Sequence, residues 1–211
     1  EIFRKDENER FISENNYDFL DETSMIKTFR YNDNFLRPYS VSNCIYDLMF
    51  SSKNTRTILK YELNYRNFFL VTQGSVKVKM IPPKSAKYLY TIKDYDNFEF
   101  ISPVNPWDVQ SQFKSDFDKL KTLEVTLNIG QIIFIPAYWW YSFEFSENTS
   151  ISVFKYKTYM NNVAISNHLL VTMLQGQNVK RETVKKMDKD EECKSEDVIE
   201  NNEIKEEEIK D

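Results

Sequence analysis

Apolar and aromatic residues between positions 44 and 156 fall into short runs of strand length, with turn-forming residues between them. The alternation is clearest in residues 76–81, where apolar residues and lysines alternate before a double proline. Gly74-Ser75 and Asn128-Ile129-Gly130 predict tight turns, because glycine tolerates left-handed backbone angles. Many short strands separated by turns indicate an all-β sandwich or barrel. The other predicted strands are residues 44–50, 57–63, 67–73, 122–127, 131–136, 138–145 and 150–156.

The regions outside these strands have a different pattern. Residues 1–35 are polar with scattered aromatics and predict irregular structure or a short helix, whereas residues 84–120 predict a long loop-like segment over the barrel. Apolar residues return at helical spacing in 160–175. The predicted domains are a lead-in packed on the barrel (1–40), a barrel (41–158), a C-terminal helix (159–178), and an acidic tail that is mobile or helical (179–211).

The formal charge of −5 is concentrated at the C-terminal end of the 211-residue chain. From Lys180 onward there are 8 basic and 13 acidic residues, and the remainder holds 20 of each sign. A neutral body with an acidic tail presents no basic surface for nucleic acid, so none is expected as a partner. No apolar run is long enough for a membrane-spanning helix, and because the chain starts at Glu1 a removed N-terminal anchor stays open.

The two cysteines lie in different surroundings. Cys44 falls in an apolar run that predicts a strand, and Cys193 falls in the charged tail. This spacing does not indicate a disulfide framework. Free thiols instead predict a cytoplasmic or otherwise reducing compartment.

Three segments carry a resemblance to a known family. They are Asn67-Phe68-Phe69 with Gly74 and the strand that ends at Pro82-Pro83, the loop motif at 103–108, and the long string from Leu127 to Trp140. Together they resemble the JmjC/cupin-like 2-oxoglutarate oxygenases, with the nearest likeness to the asparaginyl hydroxylase that inhibits hypoxia-inducible factor. Other strings resemble cupin-like proteins of large DNA viruses. The resemblance implies an all-β-dominated double-stranded β-helix, a jelly-roll or cupin barrel with a few flanking helices.

The family holds Fe(II) with two histidines and one carboxylate, which leaves positions open for 2-oxoglutarate and oxygen. By this resemblance Lys60 and Tyr141 stand at the two histidine positions, and Glu62 stands at the carboxylate position. A protonated lysine cannot coordinate a cation. The only histidine, His168, lies in the C-terminal helical segment. We therefore predict no catalytic residue and no metal ligand, and expect no cofactor, although the family uses Fe(II) and 2-oxoglutarate.

The family's co-substrate wall is also changed in this chain. Val76 stands where the family often has a lysine for the 2-oxoglutarate carboxylate, and Phe154 stands where a late-strand asparagine is expected. Two other polar positions near the co-substrate are kept. The remaining pocket is predicted to involve Thr57, Asn67, Tyr138 and Trp139.

Two arrangements of the altered metal site are open. In the first, the Lys60 ammonium replaces the charge of the iron and is held by Glu62 with the Tyr141 hydroxyl nearby, because a buried carboxylate needs a counter-charge. In the second, Lys60 and Glu62 point to solvent and form a weak surface pair. Similarly, Trp107 in the long segment is either a binding contact or an anchor for its loop.

Three functions compete at this point. The missing ligands favour a non-catalytic domain, a pseudoenzyme that serves as a protein-interaction or structural module. The alternatives are an oxygenase with an atypical metal site and a metal-free barrel that binds a sugar or another small molecule. A protein partner is expected. The C-terminal helix docks on the barrel or, like the segment that it resembles in the asparaginyl hydroxylase, on a second subunit in a homodimer. If the protein is viral, the virion or the virus factory would be its location.

Overall fold

Short strands dominate the part of the chain that the computed structural model describes, which is residues 10–95 and 98–175. All strand pairs are antiparallel and form two sheets. The strands are β1 (Ile12–Ser13), β2 (Val41–Ser51), β3 (Thr55–Arg56), β4 (Leu59–Tyr61), β5 (Arg66–Gln73), β6 (Val76–Ile81), β7 (Ile92–Asp94), β8 (Glu99–Ser102), β9 (Leu123–Leu127), β10 (Ile132–Pro136), β11 (Trp140–Phe145) and β12 (Thr149–Thr158). The first sheet has the order β1-β2-β12-β5-β10 and the second has β7-β8-β4-β11-β6-β9, with β3 beside β11. This architecture confirms the predicted jelly-roll fold.

Helices flank the sheets. They are α1 (Tyr17–Glu22), α2 (Ile26–Leu36), a 3₁₀ helix (Pro83–Tyr88), α3 (Ser111–Phe117) and α4 (Tyr159–Ala164). Residues 166–175 are also helical, and from residue 167 the chain belongs to a second compact unit. In the described ranges no helix is long and apolar enough to span a membrane. The predicted acidic tail (179–211) lies outside the described residues.

The space between the two sheets is filled by one apolar core, which we call the interior core. Along β6 the side chains of Val76, Val78 and Met80 point inward while the lysines between them do not. Burial of these side chains removes apolar surface from water and is the main stabilising contribution of the barrel. The interior core comprises Met49, Phe69, Val71, Val76, Val78, Met80, Leu127, Ile135, Tyr141, Phe143, Phe145, Ile151 and Val153.

Two further apolar clusters cover the outer faces of the sheets. On the first sheet, Leu20 and Phe29 from α1 and α2 pack on β2 and β12, and the ring of Phe29 lies 5.2 Å from that of Phe154. On the second sheet, Trp140 packs with Leu89, Phe100 and other residues from the segment after β6. Trp140 faces this outer cluster while its neighbour Trp139 packs on the interior core, as alternation along a strand requires.

Several segments differ from their predicted form. The N-terminal lead-in contains two helices and a short strand, and residues 84–120 contain a 3₁₀ helix, two strands and α3 instead of a continuous loop. The predicted strand 57–63 is reduced to Leu59–Tyr61. The strand predicted from residue 138 begins at Trp140, because Tyr138 has a φ of +64°, which a continuous strand cannot contain.

The role of Trp107 is that of a loop anchor. Its indole Nε1 donates a hydrogen bond of 2.9 Å to the hydroxyl of Ser142 on β11. The Lys79 ammonium lies 4.4 Å from the centroid of the Trp107 ring and donates to the carbonyl of Pro106 at 3.0 Å. These contacts tie the segment after β8 to the outer face of the second sheet.

Replacement of Gly74 by alanine should destabilise the barrel strongly. Gly74 has a φ of +76°, and an added Cβ would lie 2.6 Å from the carbonyl oxygen of Asn148. Gly130 is the matched control, because its φ is +82° but nothing lies within 4 Å of an added Cβ. Backbone strain alone predicts a loss of about 1 kcal/mol for Gly130→Ala, and the clash should bring Gly74→Ala above about 2 kcal/mol. Urea unfolding measures both, and equal losses would contradict the close approach at Gly74.

Candidate functional site

A buried carboxylate, that of Glu62, lies just beyond the end of β4 and is held by three side chains. The hydroxyl of Tyr141 donates to Oε1 at 2.6 Å, and the ammonium of Lys155 contacts the same oxygen at 2.9 Å. The amide of Asn64 donates to Oε2 at 2.7 Å. We call these four residues the Glu62 network. Both oxygens of the carboxylate are therefore engaged by protein donors.

The elements around Glu62 fix each member of this network. Tyr141 lies on β11 in the interior core, with its ring 5.4 Å from that of Phe69 on β5. Lys155 lies on β12, where alternation places it on the same face as Val153. The backbone of Glu62 is held as well, because its carbonyl accepts a 2.9 Å hydrogen bond from the Tyr138 amide. The network thus joins β4, β11 and β12 at one end of the barrel.

The charges of the network support one another. Burial by itself would raise the pKa of Glu62, but Lys155, Lys60 and the Tyr141 hydroxyl outweigh it and hold that pKa below its ordinary value. Burial opposes the charge of Lys155, yet Glu62 raises the pKa of the ammonium. Burial and the negative charge of Glu62 keep the pKa of Tyr141 well above its ordinary value. At neutral pH the network is therefore an ammonium, a carboxylate and a neutral phenol.

Lys60 pairs with a different carboxylate from the one expected. Its ammonium forms an ion pair with Glu14 from the N-terminal segment. Glu14 is held there because the backbone amides of Asn15 and Asn16 donate to the Asp47 carboxylate on β2, at 2.9 and 2.6 Å. The direct partner of Glu62 is Lys155, so neither of the two open arrangements, a Lys60–Glu62 pair in the interior or at the surface, is observed. The Tyr141 hydroxyl does lie beside Glu62, as the first arrangement expected.

The four residues predicted to line the remaining pocket do not share one. The Thr57 hydroxyl accepts a 2.8 Å hydrogen bond from the backbone amide of Phe143, and Thr57 lines a separate groove. Asn67 is fully buried, donates to the Ile135 carbonyl at 3.3 Å and accepts from Asn64 at 3.2 Å. Trp139 packs on the interior core, and Tyr138 is partly exposed. None of the four lines the cavity beside Glu62. Their observed contacts are structural.

Lys155 is the site residue that the sequence reading missed. Phe154 was matched to the family's late-strand polar position, but its side chain faces α2, on the outer side of the first sheet. The inward positions of β12 are Ile151, Val153 and, by the same alternation, Lys155. The available signal is a lysine at an inward position of a strand whose other inward residues are apolar.

The residues at this site do not fit an Fe(II) centre. In the described ranges no group of three or more His, Cys, Asp or Glu side chains is placed to hold a metal ion. The Lys155 ammonium already provides a counter-charge at Oε1 of Glu62, and the Tyr141 phenol donates a hydrogen bond to the same oxygen. A ferrous centre of this type needs two imidazoles beside the carboxylate, and a cation entering here would meet the positive charge of Lys155.

These features define a jelly-roll barrel in which an internal ion pair occupies the region where the metal would be expected. A cupin-like domain model matches residues 9–162, and the chain belongs to that family. It is also similar to HSPB1-associated protein 1 of Mus musculus, Rattus norvegicus and Homo sapiens, at 26% identity over 88 residues in each case. The aligned stretch is 41% of this chain and 18% of each relative. The match therefore spans less than a fifth of the relatives' length.

The ion pair between Glu62 and Lys155 should contribute strongly to stability. Both side chains are mostly buried, with 16% and 17% of their surfaces exposed. Because each single change leaves an uncompensated buried charge, Glu62→Gln and Lys155→Met should each lose roughly 3–5 kcal/mol of unfolding free energy. The double variant should lose less than the sum, which a double-mutant cycle in urea would measure. Arg56→Met, at the exposed Arg56–Glu144 pair, is the control and should change stability by less than about 1 kcal/mol.

The stabilisation from this pair should depend on pH in a defined direction. The pKa of Glu62 is lowered from 4.5, so its contribution is complete above 4.5 and is lost as the pH falls through the lowered value. The pKa of Lys155 is raised from 10.5, so its contribution is complete below 10.5 and is lost above the raised value. The stability difference between wild type and Glu62→Gln should be constant from about pH 6 to pH 9 and shrink below about pH 4. A difference that grows on acidification would contradict the assignment.

Proposed function

We propose that this chain is a non-catalytic cupin-like domain that serves as a protein-interaction or structural module. The observation that carries the proposal is the Glu62–Lys155 contact of 2.9 Å, which satisfies the metal-site carboxylate with an ammonium of the chain itself. The two positions at which the resembling oxygenases carry histidine hold Lys60 and Tyr141. The first is paired with Glu14, and the second donates to Glu62.

The packing of the barrel interior supports the same proposal. Val76, at the position that often carries the co-substrate lysine, is 1% exposed and belongs to the interior core. Lys77 and Lys79 lie on the other face, where their ammonium groups contact Glu144 and Glu124. A dicarboxylate placed beside Val76 would have to displace apolar side chains and would meet no cation there, which is unfavourable.

The partner and the setting are further parts of the proposal. The name of the similar HSPB1-associated protein 1 records an association with another protein, and this supports a protein partner here. Cys44 is a free thiol, which supports a reducing compartment. The motif resemblance to viral cupin-like proteins, and to the asparaginyl hydroxylase that inhibits hypoxia-inducible factor, supports descent from a protein hydroxylase and a viral setting.

Metal content and turnover test the absence of catalysis. The full chain should be purified without chelators from cells grown with added iron. Elemental mass spectrometry should then find far less than one iron per chain. Oxygen consumption with 2-oxoglutarate and ferrous iron should equal that of Glu62→Gln, because the network offers no site for the metal. Stoichiometric iron, or oxygen uptake that depends on Glu62, would contradict the proposal.

Chemical crosslinking followed by mass spectrometry would test for the protein partner.

A further inference from the structure

A cavity of about 250 Å³ opens beside the Glu62 network and is lined by three lysines, Lys60, Lys155 and Lys157. Two of the three ammonium groups have a carboxylate partner, because Lys60 pairs with Glu14 and Lys155 pairs with Glu62. Lys157 has no carboxylate partner within the described ranges. Its ammonium lies 5.4 Å from the centroid of the Phe98 ring, a contact that compensates for lost hydration less well than an anion would.

The position of Lys157 makes the charge of its ammonium group unfavourable. Burial lowers the pKa of the Lys157 ammonium, attraction by Glu62 opposes this, and repulsion by Lys155 adds to the lowering. Lys155 and Lys157 are two residues apart on β12 and line the same cavity, so the like charges are close. An anion that reached Lys157 would supply the counter-charge that the described residues do not give it.

The remaining walls of the cavity indicate the shape of such an anion. Phe98 lines it and its ring contacts Lys157, whereas the rings of Tyr61 and Phe100 are 9% and 1% exposed and pack in the outer cluster of the second sheet. The Phe98 ring beside the Lys157 ammonium favours a flat apolar body on the ligand. Glu99 also lines the cavity and opposes additional negative charge on a ligand. One ammonium that has no carboxylate partner among the described residues, beside one aromatic ring, suits a ligand with a single carboxylate better than one with two.

We infer that this cavity binds a small monocarboxylate with a flat apolar body, whose carboxylate contacts Lys157. The inference rests on the proposed metal-free state, because Lys155 must stay engaged with Glu62. It differs from the co-substrate region of the resembling oxygenases, since Val76, Thr57 and Asn67 do not line this cavity. It assigns a binding role to Lys157, which the Glu62 network does not use.

Calorimetric titration of the full chain with benzoate, its neutral isostere benzamide, and the dianion succinate tests the inference. Benzoate should bind at least about tenfold more tightly than either of the others, because only benzoate combines one negative charge with an aromatic ring. Lys157→Met should abolish this preference, Lys157→Arg should keep it, and Glu99→Gln should strengthen benzoate binding. Lys53→Met, at an exposed lysine outside the cavity, is the control and should bind benzoate like wild type.

Stability of the ligand-free variants gives a second readout. Because Lys157 lacks a counter-charge in the described ranges, Lys157→Met should melt at the same temperature as wild type or higher, unlike Lys155→Met. Absence of benzoate binding, equal binding of benzamide, or full binding by Lys157→Met would overturn the inference. These outcomes leave the proposed function intact, whereas stoichiometric iron in the purified protein would overturn the proposed function itself.

Discussion

The buried carboxylate of Glu62 is the constraint around which this end of the barrel is organised. A carboxylate that is only 16% exposed requires a positive charge close by, and the free-energy penalty without one is several kcal/mol. In an iron-binding barrel the metal supplies that charge. Here the ammonium of Lys155 supplies it from the adjoining sheet. The phenol of Tyr141 and the amide of Asn64 then donate one hydrogen bond to each oxygen of the carboxylate.

The same constraint explains why the N-terminal segment is part of the site. Lys60 lies beside Tyr141 in the register of β4 and β11, so a second ammonium stands near the Glu62 network. Glu14 pairs with this ammonium, and Asp47 fixes the backbone that carries Glu14 through two amide hydrogen bonds. The lead-in is thus tied to the barrel by charge as well as by the packing of α1 and α2. Lys157 is the neighbouring ammonium for which the described ranges supply no such partner.

The sequence predicted the elements whose pattern is local. The alternation in β6 and the turn at Gly74 follow from side-chain period and backbone preference, and the structure confirms both. The family motif predicts Glu62 and Tyr141 as site positions, and one of the two open arrangements places the Tyr141 hydroxyl near Glu62. The interruption of strand 57–63 was not, because a run of β-forming residues does not reveal where pairing to a neighbouring strand stops. The Glu14–Lys60 pair joins residues 46 positions apart, and no local pattern predicts it.

Lys155 shows why a motif reading alone gave an incomplete site. The family motif points to Phe154 as the site position on β12. Side chains on a strand alternate between its two faces, and Phe154 lies on the outer face. Because Lys155 points inward, Glu62 has a counter-charge even though no histidine stands beside it. A buried glutamate without a counter-charge would be destabilising, and the inward Lys155 removes that penalty. The interior core and this ion pair together allow the barrel to keep a carboxylate at this position, because the counter-charge comes from the chain itself.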